Sequence, residues 1–295
     1  MQRLAYLCGL FLIFSCEKED LNPSVQEYLF LGHIYESNNR IDGRVEAIHF
    51  EQYAGIWLGG DVCVETTEDY ATLEYLDCLF DLDNEQIHWA VGNHDIRNGN
   101  MEWISEFTKR PTYYTQYQDG LLIVVINTCL GRNEPLKDRC EEMEAQYQML
   151  DTVLDTVQVA NHLILLSHHN VWGGIDEYIH CEAANACALW NNFRCGQSSK
   201  FSPYFYEQLK LVRQRGVEVI AIAGDGGQKS KKYEYQDETG IHFLVSGIAR
   251  NSSFNSNPDS LLVFQHHPKM QSLDWSFVHL EQLVEQQKKK KQNCR

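Results

Sequence analysis

The chain has 295 residues, of which 43% are hydrophobic and 12% aromatic. That is enough for one large folded domain and too apolar for global disorder. Its formal net charge is −16, and six of its 25 Lys and Arg are Arg3 and, near the C-terminus, Lys288, Lys289, Lys290, Lys291 and Arg295. The rest of the chain sets 19 basic residues against 41 acidic ones, a surface that repels long polyanions and excludes nucleic acid duplexes as partners. Small phosphorylated molecules remain open, because a metal ion sets the charge of its own site.

The N-terminus reads as a targeting segment. Met1-Gln2-Arg3 is basic, and Leu4 to Phe14 is an apolar run too short to span a bilayer comfortably. Ile13-Phe14-Ser15-Cys16 then resembles a bacterial lipobox, and Glu17-Lys18-Glu19-Asp20 resembles an acidic surface-export tag. The resemblance implies a signal peptide over 1–15 and a tether over 16–25. A lipid on Cys16 would anchor the protein in the bacterial envelope, at the outer membrane.

From there the pattern alternates strand, polar residue, helix. Tyr28 to Leu31 is a strand ended by Gly32-His33, and Asp42 caps a helix running through Phe50. Gly55 to Leu58 is a strand ended by Gly59-Gly60-Asp61, and Thr66 to Leu79 is an acidic helix. Ile87 to Val91 is a strand ended by Gly92-Asn93-His94-Asp95, with a short helix over Met101 to Phe107. Thr112 to Tyr117 and Leu121 to Asn127 form a hairpin across Gln118-Asp119-Gly120. Met143, Tyr147, Leu150, Leu154 and Val157 recur at helical steps within Glu141 to Val157.

Leu163 to Leu166 is a strand ended by Ser167-His168-His169, and Val217 to Ala223 one ended by Gly224-Asp225. Between them lie an irregular, cysteine-rich insertion over 172–200 and a helix from Tyr204 to Arg215. Ile241 to Val245, Leu261 to Phe264 and Trp275 to Leu280 are further strands, and 283–295 is a solvated basic tail. The whole implies one α/β domain over 26–282 with mixed sheets.

Of the ten cysteines, the eight beyond Cys8 and Cys16 imply disulfides in an oxidising compartment. Cys129 with Cys140 and Cys63 with Cys78 are the expected pairs. Cys181, Cys187 and Cys195 form a cluster beside His180 whose spacing matches no zinc finger or ribbon.

Five apolar strands thus end in a residue able to bind metal: His33, Asp61, Asn93, His168 and Asp225. One sheet edge gathers such positions. Gly60-Asp61, Gly92-Asn93-His94-Asp95 and Ser167-His168-His169 together resemble the calcineurin-like metallophosphoesterases, over roughly Leu29 to Leu280. The resemblance implies a four-layer β-sandwich flanked by helices and one or two divalent ions. It implies Asp61 bridging them, Asn93 and His168 as ligands, and His94 as general acid held by Asp95. Two motifs depart from the family: Leu31 stands in place of an Asp, and Gly224-Asp225-Gly226-Gly227 in place of Gly-His-x-His.

One metal position therefore keeps Asp61, Asn93, His168 and Asp225, while the other keeps His33 and Asp61, with Gln228 or Tyr35 as additions. These donors suit Mn, Zn or Fe alike. Arg40, Arg97 and His169 are candidates for contacting substrate, His169 otherwise supporting the ligands from behind. The expected function is hydrolysis of a small phosphoester, monoester or diester. The alternative is a surface lipoprotein that has lost catalysis and binds a ligand on the same fold.

Overall fold

Apolar runs that end in a polar residue become the strands of two sheets. The computed structural model describes residues 25–36, 39–132, 134–170, 172, 195, 204–226, 232–248 and 258–293. The leader and tether with Cys16, Cys181, Cys187, Gly227, Gln228, Cys294 and nearly all of the 172–200 insertion lie outside them. The strands are β1 Gln26–Leu31, β2 Gly55–Leu58, β3 Ile87–Trp89, β4 Tyr114–Gln118, β5 Leu121–Val125 and β6 His162–Ser167. They continue as β7 Glu218–Ala223, β8 Lys232–Gln236, β9 His242–Ser246, β10 Ser260–His267 and β11 Ser272–His279. The helices are α1 Gly43–Glu46, α2 Tyr70–Phe80, α3 Asn93–Ile96, α4 Met101–Thr108, α5 Cys140–Thr156, α6 Tyr206–Gln214 and α7 Leu280–Asn293.

One sheet runs β11-β10-β1-β2-β3 and the other β4-β5-β6-β7-β9-β8. β1, β2 and β3 are parallel, as are β5, β6, β7 and β9, while β10, β11, β4 and β8 pair antiparallel at the flanks. Both sheets are therefore mixed, as the sequence pattern requires.

Period-2 alternation builds two cores. Ile164 and Leu166 of β6 meet Phe30, Trp57, Ile220, Ile222 and Phe264 in the layer between the sheets. Leu163 and Leu165 point the other way, into a layer shared with Met143, Tyr147, Leu150 and Leu154 of α5 and with Leu209 and Val212 of α6. α5 packs on α6, and α6 on β7. The result is the expected sandwich of sheet on sheet with helices outside. Burying one such aliphatic side chain contributes about 1.5–3 kcal/mol.

The β4–β5 hairpin closes as its Asp-Gly sequence demands. Gln118 pairs with Leu121, and Asp119 and Gly120 sit at φ 48° and 93°, both left-handed as this two-residue turn requires. The acidic helix begins later than the sequence pattern implies, at Tyr70, where the Asp69 carboxylate accepts from Ala71 N–H. Thr66 and Thr67 are buried and bond to Asp95 instead. β8 was not foreseen, because its residues alternate between exposed and half-buried and carry no apolar run.

The basic segment after 282 is no tail. It continues α7, which packs on α1 and β11 and buries Leu280, Leu283 and Val284. Gln287 accepts from His49 N–H at 2.9 Å. Lys288 and Lys289 remain exposed.

The expected disulfides are also corrected. Cys140, the first residue of α5, is bonded to Cys195, while Cys63, Cys78 and Cys129 are free. Cys63 and Cys129 are wholly buried, packed in the core as small apolar side chains.

One buried histidine links this core to pH. His88 on β3 is fully buried and shares a 3.0 Å hydrogen bond between Nδ1 and the Tyr114 hydroxyl, while its Nε2 has no hydrogen-bond partner. Burial, with Arg110 adding to it, lowers its pKa from 6.5 to about 3. In acid the unfolded chain takes up this proton before the folded one does. Stability from this group is therefore complete above pH 6.5 and is lost as pH falls towards 3, at about 1.4 kcal/mol per pH unit. Urea unfolding between pH 7 and 5 should show a steeper acid loss for the native chain than for His88→Gln. Equal slopes would mean His88 already titrates normally when folded.

Candidate metal centre

The parallel strands deliver their ends to one edge. β1 ends beside His33, β2 beside Asp61, β3 beside Asn93, β6 beside His168 and β7 beside Asp225. Two of these residues hold left-handed backbone, His33 at φ 51° and Asp61 at φ 52°. Such conformations cost about 1–3 kcal/mol in non-glycine residues and gather at functional sites. Close approach also demands glycine here. A Cβ on Gly224 would lie 2.0 Å from Gly59 O, and one on Gly92 would lie 2.2 Å from Asp61 Oδ1.

Asp61 is the hub. Its Oδ1 accepts from His94 N–H at 2.9 Å and lies 3.3 Å from His168 Nε2. Its Oδ2 lies 3.9 Å from His33 Nε2 and 4.0 Å from His94 Nε2. The three imidazoles are tethered alike. Nδ1 of His33 donates to Ile248 O, that of His94 to Val64 O, and that of His168 to Gly59 O. The network thus assigns one tautomer to all three, leaving the Nε2 atoms directed at one carboxylate. A ring N–H given to a backbone carbonyl is the usual support of a metal-binding histidine.

The charges fit the same picture. Burial raises the Asp61 carboxyl, but His168, then His33 and His94, outweigh it and hold it well below the usual range. Burial works against charge on His168, yet Asp61 raises it to about 9. Burial and Asp61 push the Asp225 carboxyl up, opposed by His168, His33 and Arg132. His168 Nε2 is wholly buried and faces Asp61 Oδ1. A neutral lone pair facing a carboxylate at 3.3 Å needs a cation between them, a proton or a metal ion. The residues present fit a divalent ion.

Asn93 and His169 complete the cluster. Ligand atoms of His168, His169 and Asp225 all lie within 4.8 Å of one another. The Thr128 hydroxyl accepts from His169 N–H and bonds its Nδ1 at 2.7 Å, and His169 Nε2 meets Asn93 Oδ1 at 3.1 Å. Burial, with His168 and Arg132, keeps His169 far below the ordinary imidazole range and so neutral. His169 thereby orients the Asn93 amide.

Asp95 departs from its expected place. Its carboxylate does not hold the His94 ring. It accepts from the backbone N–H of Asp61, Val62 and Gly92, from the Thr66 hydroxyl and, at 3.3 Å, from Trp89 Nε1. Burial and Asp61 push its carboxyl up, and the hydrogen bonds from Gly92, Thr66 and Val62 oppose the rise. Asp95 clamps the loop carrying Asp61 onto the turn carrying Asn93. His94 is held by Val64 O instead, and its Nε2 accepts from Arg97 Nη2 at 2.9 Å.

Arg40, a candidate substrate contact, is engaged elsewhere on the surface. It bonds Glu46 at 2.7 Å and lies over the Tyr75 ring. Leu31, at the position where an Asp was expected, is buried in the outer core and offers no donor. Arg132 was missed. It follows β5, parallel to β6, and its guanidinium charge acts on Asp225 and His169. The signal is a strand end on the same edge, masked in the sequence by the expected Cys129–Cys140 pair that flanks this loop.

No protein-family model matches the sequence, and no curated protein matches it. Among solved structures, a dimetal phosphatase from Danio rerio matches 88% of this chain and 97% of its own, with a TM-score of 0.55 at 12% identity. A phosphopantetheinyl hydrolase from Mycobacterium tuberculosis matches 81% of this chain and 95% of its own, with a TM-score of 0.47 at 12% identity. At such identities the likeness is one of fold.

Proposed function

We propose that this chain, which has the calcineurin-like metallophosphoesterase fold, is a metal-dependent hydrolase of small phosphoesters. The observation that carries the reading is His168 Nε2, wholly buried and facing Asp61 Oδ1 at 3.3 Å, with the Asp225 carboxyl beside it. Asp61, Asn93, His168 and Asp225 would hold one ion, and His33 with Asp61 a second, weaker one. A bound divalent cation supplies Lewis acidity and neutralises the charge of the phosphoryl group.

The chain's own groups do the rest. Water supplies the oxygen that bonds to phosphorus as the ester P–O bond breaks. His94 Nε2, once it has taken a proton from solvent, gives it to the departing oxygen and returns to the neutral imidazole. His169 fixes Asn93, and Asp95 fixes the Asp61 loop. Arg97, exposed and reaching over His94, meets a phosphoryl oxygen and in doing so leaves His94 Nε2 to act. Arg97→Ala should raise KM roughly tenfold with a smaller change in kcat, the scale of one exposed charge-assisted hydrogen bond. An unchanged KM would remove Arg97 from the substrate site.

A lipid on Cys16 would place this cleft at the outer membrane; mass spectrometry of the mature N-terminus tests that anchor, and an unmodified Cys16 refutes it. The second reading, a binding module without catalysis, is favoured by buried Leu31 and by Arg97 occupying the acid nitrogen. Assay of Mn-, Zn- and Fe-loaded protein on a broad panel of phosphomonoesters and diesters decides. Hydrolysis of any class supports the enzyme, and none across the panel makes the binding module the better reading.

A further inference from the structure

Just beyond β1 the chain is folded back on itself. Tyr35 pairs with Ile41, and Asp42 N–H donates to Ile34 O at 2.7 Å. These bonds fix the Tyr35 backbone two residues past His33. The side chain then reaches both tethered imidazoles. Its ring centroid is 4.6 Å from that of His33, tilted at 45°, and 4.7 Å from that of His94, stacked at 24°.

A single hydrogen bond fixes one atom of an imidazole and leaves the ring free to swing about it. His33 has one such bond, from Nδ1 to Ile248 O, and His94 has one from Nδ1 to Val64 O together with the exposed Arg97 Nη2 on its Nε2. Contact with a flat face restrains the plane itself. Tyr35 is half-buried in the field of the same site. Burial raises its pKa, Asp61 and Asp225 add to the rise and Arg97 opposes it, so the phenol stays protonated at neutral pH.

We propose that Tyr35 is a positioning residue. Its ring, wedged between His33 and His94, sets both imidazole planes and so aims both Nε2 atoms at Asp61 Oδ2. The kinetic consequence rests on the phosphoesterase reading; the geometric one does not. A ring is what the role needs, and the hydroxyl is dispensable.

The test compares Tyr35→Leu with Tyr35→Phe in the full chain. One measurement is kcat and KM on a nitrophenyl phosphoester and on an alkyl phosphoester. The other is nitrogen-15 NMR of the His33 and His94 rings in metal-free protein. Tyr35→Leu should lower kcat by about 10- to 100-fold on the alkyl ester, the usual cost of a misaimed group. KM should barely change, and both Nδ1–H signals should shift and broaden. Tyr35→Phe should restore the rate and the signals. Unchanged imidazole signals in Tyr35→Leu overturn the proposal, as does a Phe variant as impaired as the Leu one. If the native chain hydrolyses no ester, the enzyme reading fails, while the imidazole signals still decide whether Tyr35 holds the rings.

Discussion

Asp61→Ala is expected to abolish tight metal binding and with it all phosphoester hydrolysis, a loss on the order of a thousandfold or more in kcat/KM. Asp61 is the group to which every other candidate ligand is referred. Three Nε2 atoms lie within 4.0 Å of its carboxylate oxygens, and His94 N–H donates to one of them. Without the carboxylate, three Nε2 atoms lose their shared partner, and Asp225 beside His168 is left as a carboxyl group of the cluster. A lost fold is a rival cause, since removing one member of a buried charged pair costs about 3–5 kcal/mol. Asp61→Asn separates the two. It keeps the shape and an oxygen to accept from His94 N–H, but loses the charge. Calorimetric metal titration and turnover should fall together in both variants, with the Asn variant unfolding near the native temperature. Activity surviving Asp61→Ala would end the metal mechanism.

His94→Ala should leave the ion bound and slow turnover by roughly a hundredfold or more on substrates with poor leaving groups, the usual scale of general acid catalysis. The loss should shrink for nitrophenol, which departs without a proton. The proposed mechanism gives His94 this role. It lies 4.0 Å from Asp61 Oδ2, farther than His168 at 3.3 Å, and its Nδ1–H is fixed on Val64 O. Equal losses on good and poor leaving groups would make His94 a binding group. Loss of metal in His94→Ala would make it a ligand.

The strand-end residues were legible because each follows an apolar run, and parallel strands bring their ends to one edge. Local pattern picks out His33, Asp61, Asn93, His168 and Asp225 as strand-end donors, and the family resemblance supplies their expected roles. The partners of Asp95 were not legible. Its donors at Asp61 and Val62 lie more than thirty residues earlier in the chain, and only the folded turn brings them together. The Cys140–Cys195 bridge spans 55 residues, and pairing over such distances is not encoded in spacing. α7 was legible and misread. Leu280, Leu283, Val284 and Gln287 recur at helical steps, but the run of lysines behind them drew the reading to a solvated tail. Arg132 was hidden by its charge, since a loop arginine is ordinarily a surface residue.

Metal content and affinity test the unequal site most directly. Purified protein should be stripped by chelation, then titrated with Mn²⁺ and Zn²⁺ in turn while bound metal is counted by elemental analysis. One equivalent held tightly, with a second taken up only at far higher concentration or not at all, is the expected result. It follows from four donors at Asp61, Asn93, His168 and Asp225 against His33 and Asp61 alone, with Leu31 buried in the core. Two equivalents bound with equal affinity, or none bound at all, would contradict it.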